Sequence, residues 1–234
     1  MKIIGLYRSP YVRLVAVSLN ILDIEYVNEP VTPFESPEAV RRYNPLNRIP
    51  TLILDDGDVL VESYAILDTL DDMSPPEKRL VPSTGDTRMH VMQLSAIATG
   101  TMDKAVWAVY EGRFHPKDKY HKPWVEHNDA QADSGLAYLN EAVLKADCIE
   151  NGWLGSTDRI SQADISASIA YSFTAMARPK LGVADKYPAL DAFAGRMEAQ
   201  KAFSLVSPQL SLIHISEPTR QAEISYAGLC VKKK

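Results

Sequence analysis

A serine followed by a proline, Ser9-Pro10, stands where a short apolar run ends and a helical pattern begins. A hydroxyl at that point can cap the helix by accepting a backbone N–H bond, with proline in the first helical position. It can also donate a hydrogen bond to an anion held at the helix head. Such a bond lowers the anion's pKa, and the partial positive charge of the helix N-terminus acts in the same direction. Taken alone, Ser9 reads first as a cap. Two other places have comparable potential. Arg48-Ile49-Pro50 sets a cation beside an X–Pro bond, the peptide type that tolerates cis readily. Glu62-Ser63 joins an acidic side chain to a second helix start, where free N–H groups can receive a carboxylate. As a bare pair these are a strand-ending charge and a helix cap. Tyr7 and Tyr11 flank Ser9 and are rival hydroxyl donors.

The elements that would position these residues follow from the pattern. Residues 2–7 are short and apolar, as a buried strand requires. Val12, Val15, Ala16 and Leu19 fall at helical spacing through Asn20. Ile24 to Val31 reads as a second strand, and Ser36-Pro37 repeats the serine–proline start for a short helix ending before Asn44-Pro45. Thr51 to Leu54 and Val59 to Glu62 are separated by Asp55-Asp56-Gly57-Asp58, a strong hairpin signal. Ser63 is expected to cap a helix through Met73, with Ile66, Leu67 and Leu70 on one side. Strand, helix, strand, helix, hairpin, helix is the order of the thioredoxin fold.

Three motifs in this stretch carry a family resemblance: Ser9-Pro10-Tyr11-Val12-Arg13, Asn44-Pro45-Leu46-Asn47-Arg48-Ile49-Pro50-Thr51-Leu52, and Val61-Glu62-Ser63-Tyr64-Ala65-Ile66. Each alone is weak. In this order and spacing they resemble the glutathione S-transferases of the serine type. The resemblance implies a two-part fold, an α/β thioredoxin-like N-terminal domain over residues 1–76 and an all-α C-terminal helical domain over 86–207, joined by 77–85. It implies that glutathione is the co-substrate and that Ser9 donates to its thiolate, preferred over Tyr7 and Tyr11. A cysteine at that junction would have pointed to the branches that form mixed disulfides; there is none. Ile49-Pro50 resembles the family's cis-proline turn, whose backbone pairs with the cysteinyl unit. Ser63 would hold the γ-glutamyl carboxylate, Glu62 its ammonium, and Arg48 the glycyl carboxylate.

Beyond the proline-rich Ser74-to-Ser83 stretch the pattern is helical. Asp86 to Phe114 is one long run with Met89, Met92, Leu94, Ile97 and Val106 as core candidates. The resemblance puts the electrophile pocket against this helix, with Tyr11, Met102, Val106, Trp107 and Tyr110 as candidates. A second helix runs to Leu144, Ser161-Gln162-Ala163-Asp164 is a capping box, and Tyr187-Pro188 opens a last helix to Phe203. His115, His121 and His127 lie near a loop and read as solvated; no metal spacing appears.

The bulk numbers agree. The chain has 234 residues, 46% hydrophobic and 24% charged, enough to fill a real core. No apolar run is long enough to span a bilayer and no signal-peptide pattern opens the chain, so a cytoplasmic protein without membrane partners is expected. The net charge of −5 argues against a nucleic-acid partner. Residues 210–234 differ from the rest: Leu210 to Arg220 resembles the translation of a transposon-type sequencing adapter, and such scars are set aside in fold reasoning. The resemblance further implies a homodimer. The electrophile is not legible, and an isomerase, dehalogenase, peroxidase or non-catalytic interaction module built on the same frame stands as the alternative.

Overall fold

The structure, a computed structural model, describes residues 1–208; the tail at 210–234, with His214 and Cys230, lies outside the described residues. The N-terminal half is β1 (Lys2–Ile4), α1 (Pro10–Ile21), β2 (Val27–Glu29), α2 (Pro37–Arg41), β3 (Thr51–Ile53), β4 (Val59–Val61) and α3 (Ser63–Met73). The strands form one sheet in the order β2-β1-β3-β4. β1 runs parallel to β2 and antiparallel to β3, and β3 pairs antiparallel with β4. This is the thioredoxin-like arrangement that the element order predicts. The strands are shorter than their apolar runs. Gly5 turns away at φ 137°, so Tyr7 falls in the turn after β1 rather than within a strand.

No helix or strand occupies the chain between Met73 and Gly85. The second half is all helical among the described residues: α4 (Gly85–Phe114), α5 (Lys122–Ala146), α6 (Gln162–Ala177), α7 (Val183–Lys186), α8 (Pro188–Glu198) and α9 (Lys201–Ser204). The single closing helix expected from Pro188 to Phe203 is two, broken at Gln200, whose backbone is extended. No helix among the described residues is long and apolar enough to cross a membrane.

The core of α4 lies on Val91, Leu94, Ala98, Met102 and Ala105, which recur every three or four positions. Met89 is instead exposed and does not belong to the core. Gly135 of α5 crosses this helix so closely that a Cβ there would stand 2.0 Å from the Thr101 hydroxyl. The capping box forms as expected. Asp164 accepts from the Ser161 N–H at 2.8 Å, the Ser161 hydroxyl at 2.7 Å and the Leu154 N–H at 2.7 Å. Burial pushes its carboxyl up to about 6, with those bonds pulling the other way. Its work is to fold α6 onto the segment before it.

α1 is buried on nearly every side, because it separates the sheet from α6 and α9. That position leaves Arg13 inside the protein. Its Nη1 donates to Glu198 Oε1 at 2.6 Å, its Nη2 to Glu198 Oε2, and its Nε to the Val206 carbonyl at 3.1 Å. Breaking one side of a buried pair costs about 3 kcal/mol or more, since the remaining charge is stranded. Glu198→Ala is therefore expected to lower stability by about 3 kcal/mol in urea unfolding. Arg13→Met should cost less, because Glu198 is 30% exposed and keeps its bond from the Ser172 hydroxyl. The opposite order would refute this account of the pair.

Candidate active site

The ladder register brings the chemistry-bearing residues to one end of the sheet. Ile4 of β1 pairs with Thr51 of β3, and Thr51 pairs with Val61 of β4. Past those pairs come Gly5 and the turn to Ser9, Ile49-Pro50, and Glu62-Ser63. Three stretches far apart in the chain thus meet because each adjoins the same strand end.

Ser9 is the N-cap of α1, with its hydroxyl oxygen accepting from the Val12 N–H at 3.5 Å. Capping and donation do not compete here. A hydroxyl has two acceptor lone pairs and one proton, and the cap occupies only a lone pair. The proton remains available at the helix head. The two tyrosines are otherwise engaged. Tyr7 pairs with Tyr26, in a groove shared with Met1, Asn20 and Ala202. Tyr11 donates its hydroxyl to Asp103 of α4, and burial together with that carboxylate pushes its pKa well up. A phenol bound to a carboxylate is a poor donor to a second anion.

The Ile49-Pro50 peptide is cis. The loop before it is pinned by Asn44, which is fully buried, donates to the Arg48 carbonyl at 3.0 Å and accepts from the Leu46 N–H at 2.9 Å. Ile49 precedes β3 and stays outside its ladder. Gly5 fits directly beneath it, so that a Cβ on Gly5 would lie 2.5 Å from Val12 Cγ2 and 3.1 Å from Ile49 Cβ. One glycine therefore registers α1 and the cis-proline loop against each other. Sequence reasoning passed over it, although a glycine ending a strand just before a helix was a visible signal.

The α3 start differs from the expected serine cap. Glu62 is the N-cap, at φ 66°, and Ser63 is the first helical residue. No side chain caps this helix, so its leading N–H groups face out unmatched. A non-glycine residue at positive φ is strained, and such strain gathers at ligand clamps. The Glu62 carboxylate meets Arg48 Nη1 at 3.2 Å, both side chains being well exposed. Arg48 is thus already matched in charge.

Across from the sheet end lies one face of α4. Asp103 touches Tyr11, and one and two turns on stand Trp107, 53% exposed, and Tyr110, their rings 6.2 Å apart. Val106 is partly buried beside them. Met102 is a correction: it is fully buried on the core stripe and has no surface to offer a ligand. Phe34, Arg113 and Phe114, absent from the sequence expectations, gather around Tyr110. His115 is half-exposed but bonded to Glu111 at 2.9 Å, rather than simply solvated. No metal-ligating cluster occurs among the described residues.

A thioredoxin-like sheet unit followed by a helical one, with this strand-end constellation, defines the glutathione-transferase class of fold. Residues 3–78 match the family described as "Glutathione S-transferase, N-terminal domain". The chain is 23% identical to an uncharacterized GST-like protein, YibF of Escherichia coli K12, over 89% of this chain and 98% of that one. Among solved structures, it resembles a glutathione S-transferase of Methylobacillus flagellatus with glutathione bound, at 28% identity and a TM-score of 0.79, covering 88% of this chain and 98% of the other. A glutathione S-transferase of Methylobacterium radiotolerans in complex with glutathione sulfonate matches at 25% identity and a TM-score of 0.79, covering 88% and 93%. Residues 3–78 thus belong with the glutathione S-transferase N-terminal domains, and the chain as a whole has the glutathione-transferase fold.

Gly5→Ala tests how the site is registered. The new methyl clashes with Val12 at a backbone angle side chains rarely adopt, and an expected loss of about 2–3 kcal/mol would appear in thermal unfolding. A variant as stable as the parent would show that this contact does not govern the site.

Proposed function

We propose that the protein is a glutathione S-transferase that binds glutathione at the sheet end and delivers its thiolate to an electrophilic small molecule. One observation carries the reading: an available Ser9 proton, the Ile49-Pro50 backbone and the uncapped head of α3 converge at one end of one sheet. Similar glutathione-bound structures support it.

The roles follow from the chemistry of each group. The α3 head and Ser63 receive the γ-glutamyl carboxylate, and Glu62 takes the ammonium. The cysteinyl unit pairs with the Ile49 backbone, and Arg48 lies toward the glycyl end. Ser9 donates to the sulfur. An unperturbed thiol has a pKa near about 8.5, so a bond made only to the thiolate enlarges the reactive fraction at neutral pH. The thiol proton leaves to solvent, the sulfur pair forms a bond to carbon, and the leaving group departs with its own pair. The tripeptide-holding unit is residues 1–76, and the electrophile wall is formed by Tyr11 from that unit with Val106, Trp107 and Tyr110 from 86–207. On family resemblance the protein is a cytoplasmic homodimer.

Calorimetry of glutathione on the full chain, with turnover of an aromatic halide, tests the reading. Ser9→Ala should still bind, but the bound thiol pKa should rise by about one unit, a tenfold loss of thiolate near neutral pH. The ultraviolet absorbance of the thiolate followed against pH measures it. Absence of binding to the parent would refute the transferase reading, and an unchanged pH profile in the variant would refute the role of Ser9.

A further inference from the structure

Two guanidinium groups bear on Tyr110, and only one of them has an acidic partner among the described residues. Arg48 faces Glu62 at 3.2 Å. Arg113 has no acidic partner among the described residues; its Cζ lies over the Phe34 ring, 3.8 Å from the centroid. Phe34 in turn packs edge-on against Tyr110 at 6.0 Å and tilted against Phe114 at 5.8 Å. A cation–π contact restrains an otherwise exposed guanidinium, and its planar fork suits bidentate recognition. Tyr110 makes ring contacts but no hydrogen bond to protein through its hydroxyl among the described residues. Burial raises its pKa, while the charges of Arg48 and Arg113 act to lower it.

An oriented fork of N–H donors beside a free O–H donor matches the two oxygens of a carboxylate. We propose that Arg113 and Tyr110, braced by Phe34, form a subsite for a substrate carboxylate, a reading that rests on the transferase assignment. Asp103, which Tyr11 touches, and Tyr110 are seven residues apart on one helix, about 10 Å at 1.5 Å per residue. The subsite thus lies along α4 from Asp103, with Tyr110 still near enough to Tyr11 to bear on its hydroxyl. Two carboxylates can reach it: the glycyl end of glutathione, or an acidic group on an aromatic electrophile whose ring lies along Trp107 and Tyr110.

Two ligand pairs, each differing in one carboxylate, distinguish these sources on the full-length parent, Arg113→Ala and Arg113→Lys. The first pair is glutathione and its glycine ethyl ester, compared by calorimetry. The second is a chloronitrobenzoate and chlorodinitrobenzene, compared by kcat/KM. Arg113→Ala should lose about tenfold in the ratio of carboxylated to uncharged ligand for one pair, as expected for a charge-assisted bond. The pair that responds names the source. Arg113→Lys, which keeps the charge but not the fork, should fall between. Unchanged ratios in both pairs overturn the subsite, with thermal unfolding of the variants showing that they remain folded. If the parent binds no glutathione, the transferase reading fails instead. Direct calorimetry of the benzoate on parent and Arg113→Ala then decides the subsite alone: parental binding weakened by the substitution supports it, and equal or absent binding overturns it.

Discussion

Arg13 is charged and almost wholly enclosed, and the protein is organised around satisfying it. Its partner Glu198 lies at the end of α8, and its third acceptor, the Val206 carbonyl, follows α9. The guanidinium can meet these groups only if α1 is wedged between the sheet and the closing helices. Hydrophobic burial along Val12, Val15, Ala16 and Leu19 supplies most of the driving force but little direction. The bidentate pair adds direction. It fixes where α1 sits, and thereby where the head of that helix, with Ser9 upon it, faces the cleft.

Around that helix head, backbone rather than side chain does most of the positioning. Ile49 is held by the loop that Asn44 ties down, Glu62 is turned by an unfavourable φ, and the α3 N–H groups are left uncapped. These arrangements share one property: each leaves hydrogen-bonding capacity directed at a place the protein itself does not fill. Leaving such groups without partners lowers stability, and the compact helical half, clamped through Gly135 and the Asp164 box, offsets the loss elsewhere.

How far this was legible in the sequence depended on range. Ser9-Pro10, the Asp-Gly hairpin and the capping box are local signals, and each formed as read, because turns and caps are decided by neighbours within a few residues. Ser63 is the first helical residue rather than the cap, and nothing local in the sequence reveals that Glu62 adopts positive φ. Met102 is not separable from the pocket candidates by sequence, because apolar spacing alone does not say which stripe of a helix faces inward. The buried series from Val91 to Ala105 settles that, and it moves Met102 to the core. Phe34, Arg113 and Phe114 could not be found at all. Their meeting depends on how the β2–α2 connection lies across a helix about eighty positions further on.

α4 is a single unbroken helix of 30 residues with one stripe locked into the interior and another, through Asp103, Trp107, Tyr110 and Phe114, turned to the cleft. The two stripes face different surroundings, so a substitution on one need not disturb the packing of the other. Substitutions on the outward stripe can alter the face presented to the sheet end while the inward stripe keeps the scaffold. The exposed face and the packing beneath it can therefore diversify on separate schedules, one changing repeatedly while the other stands still.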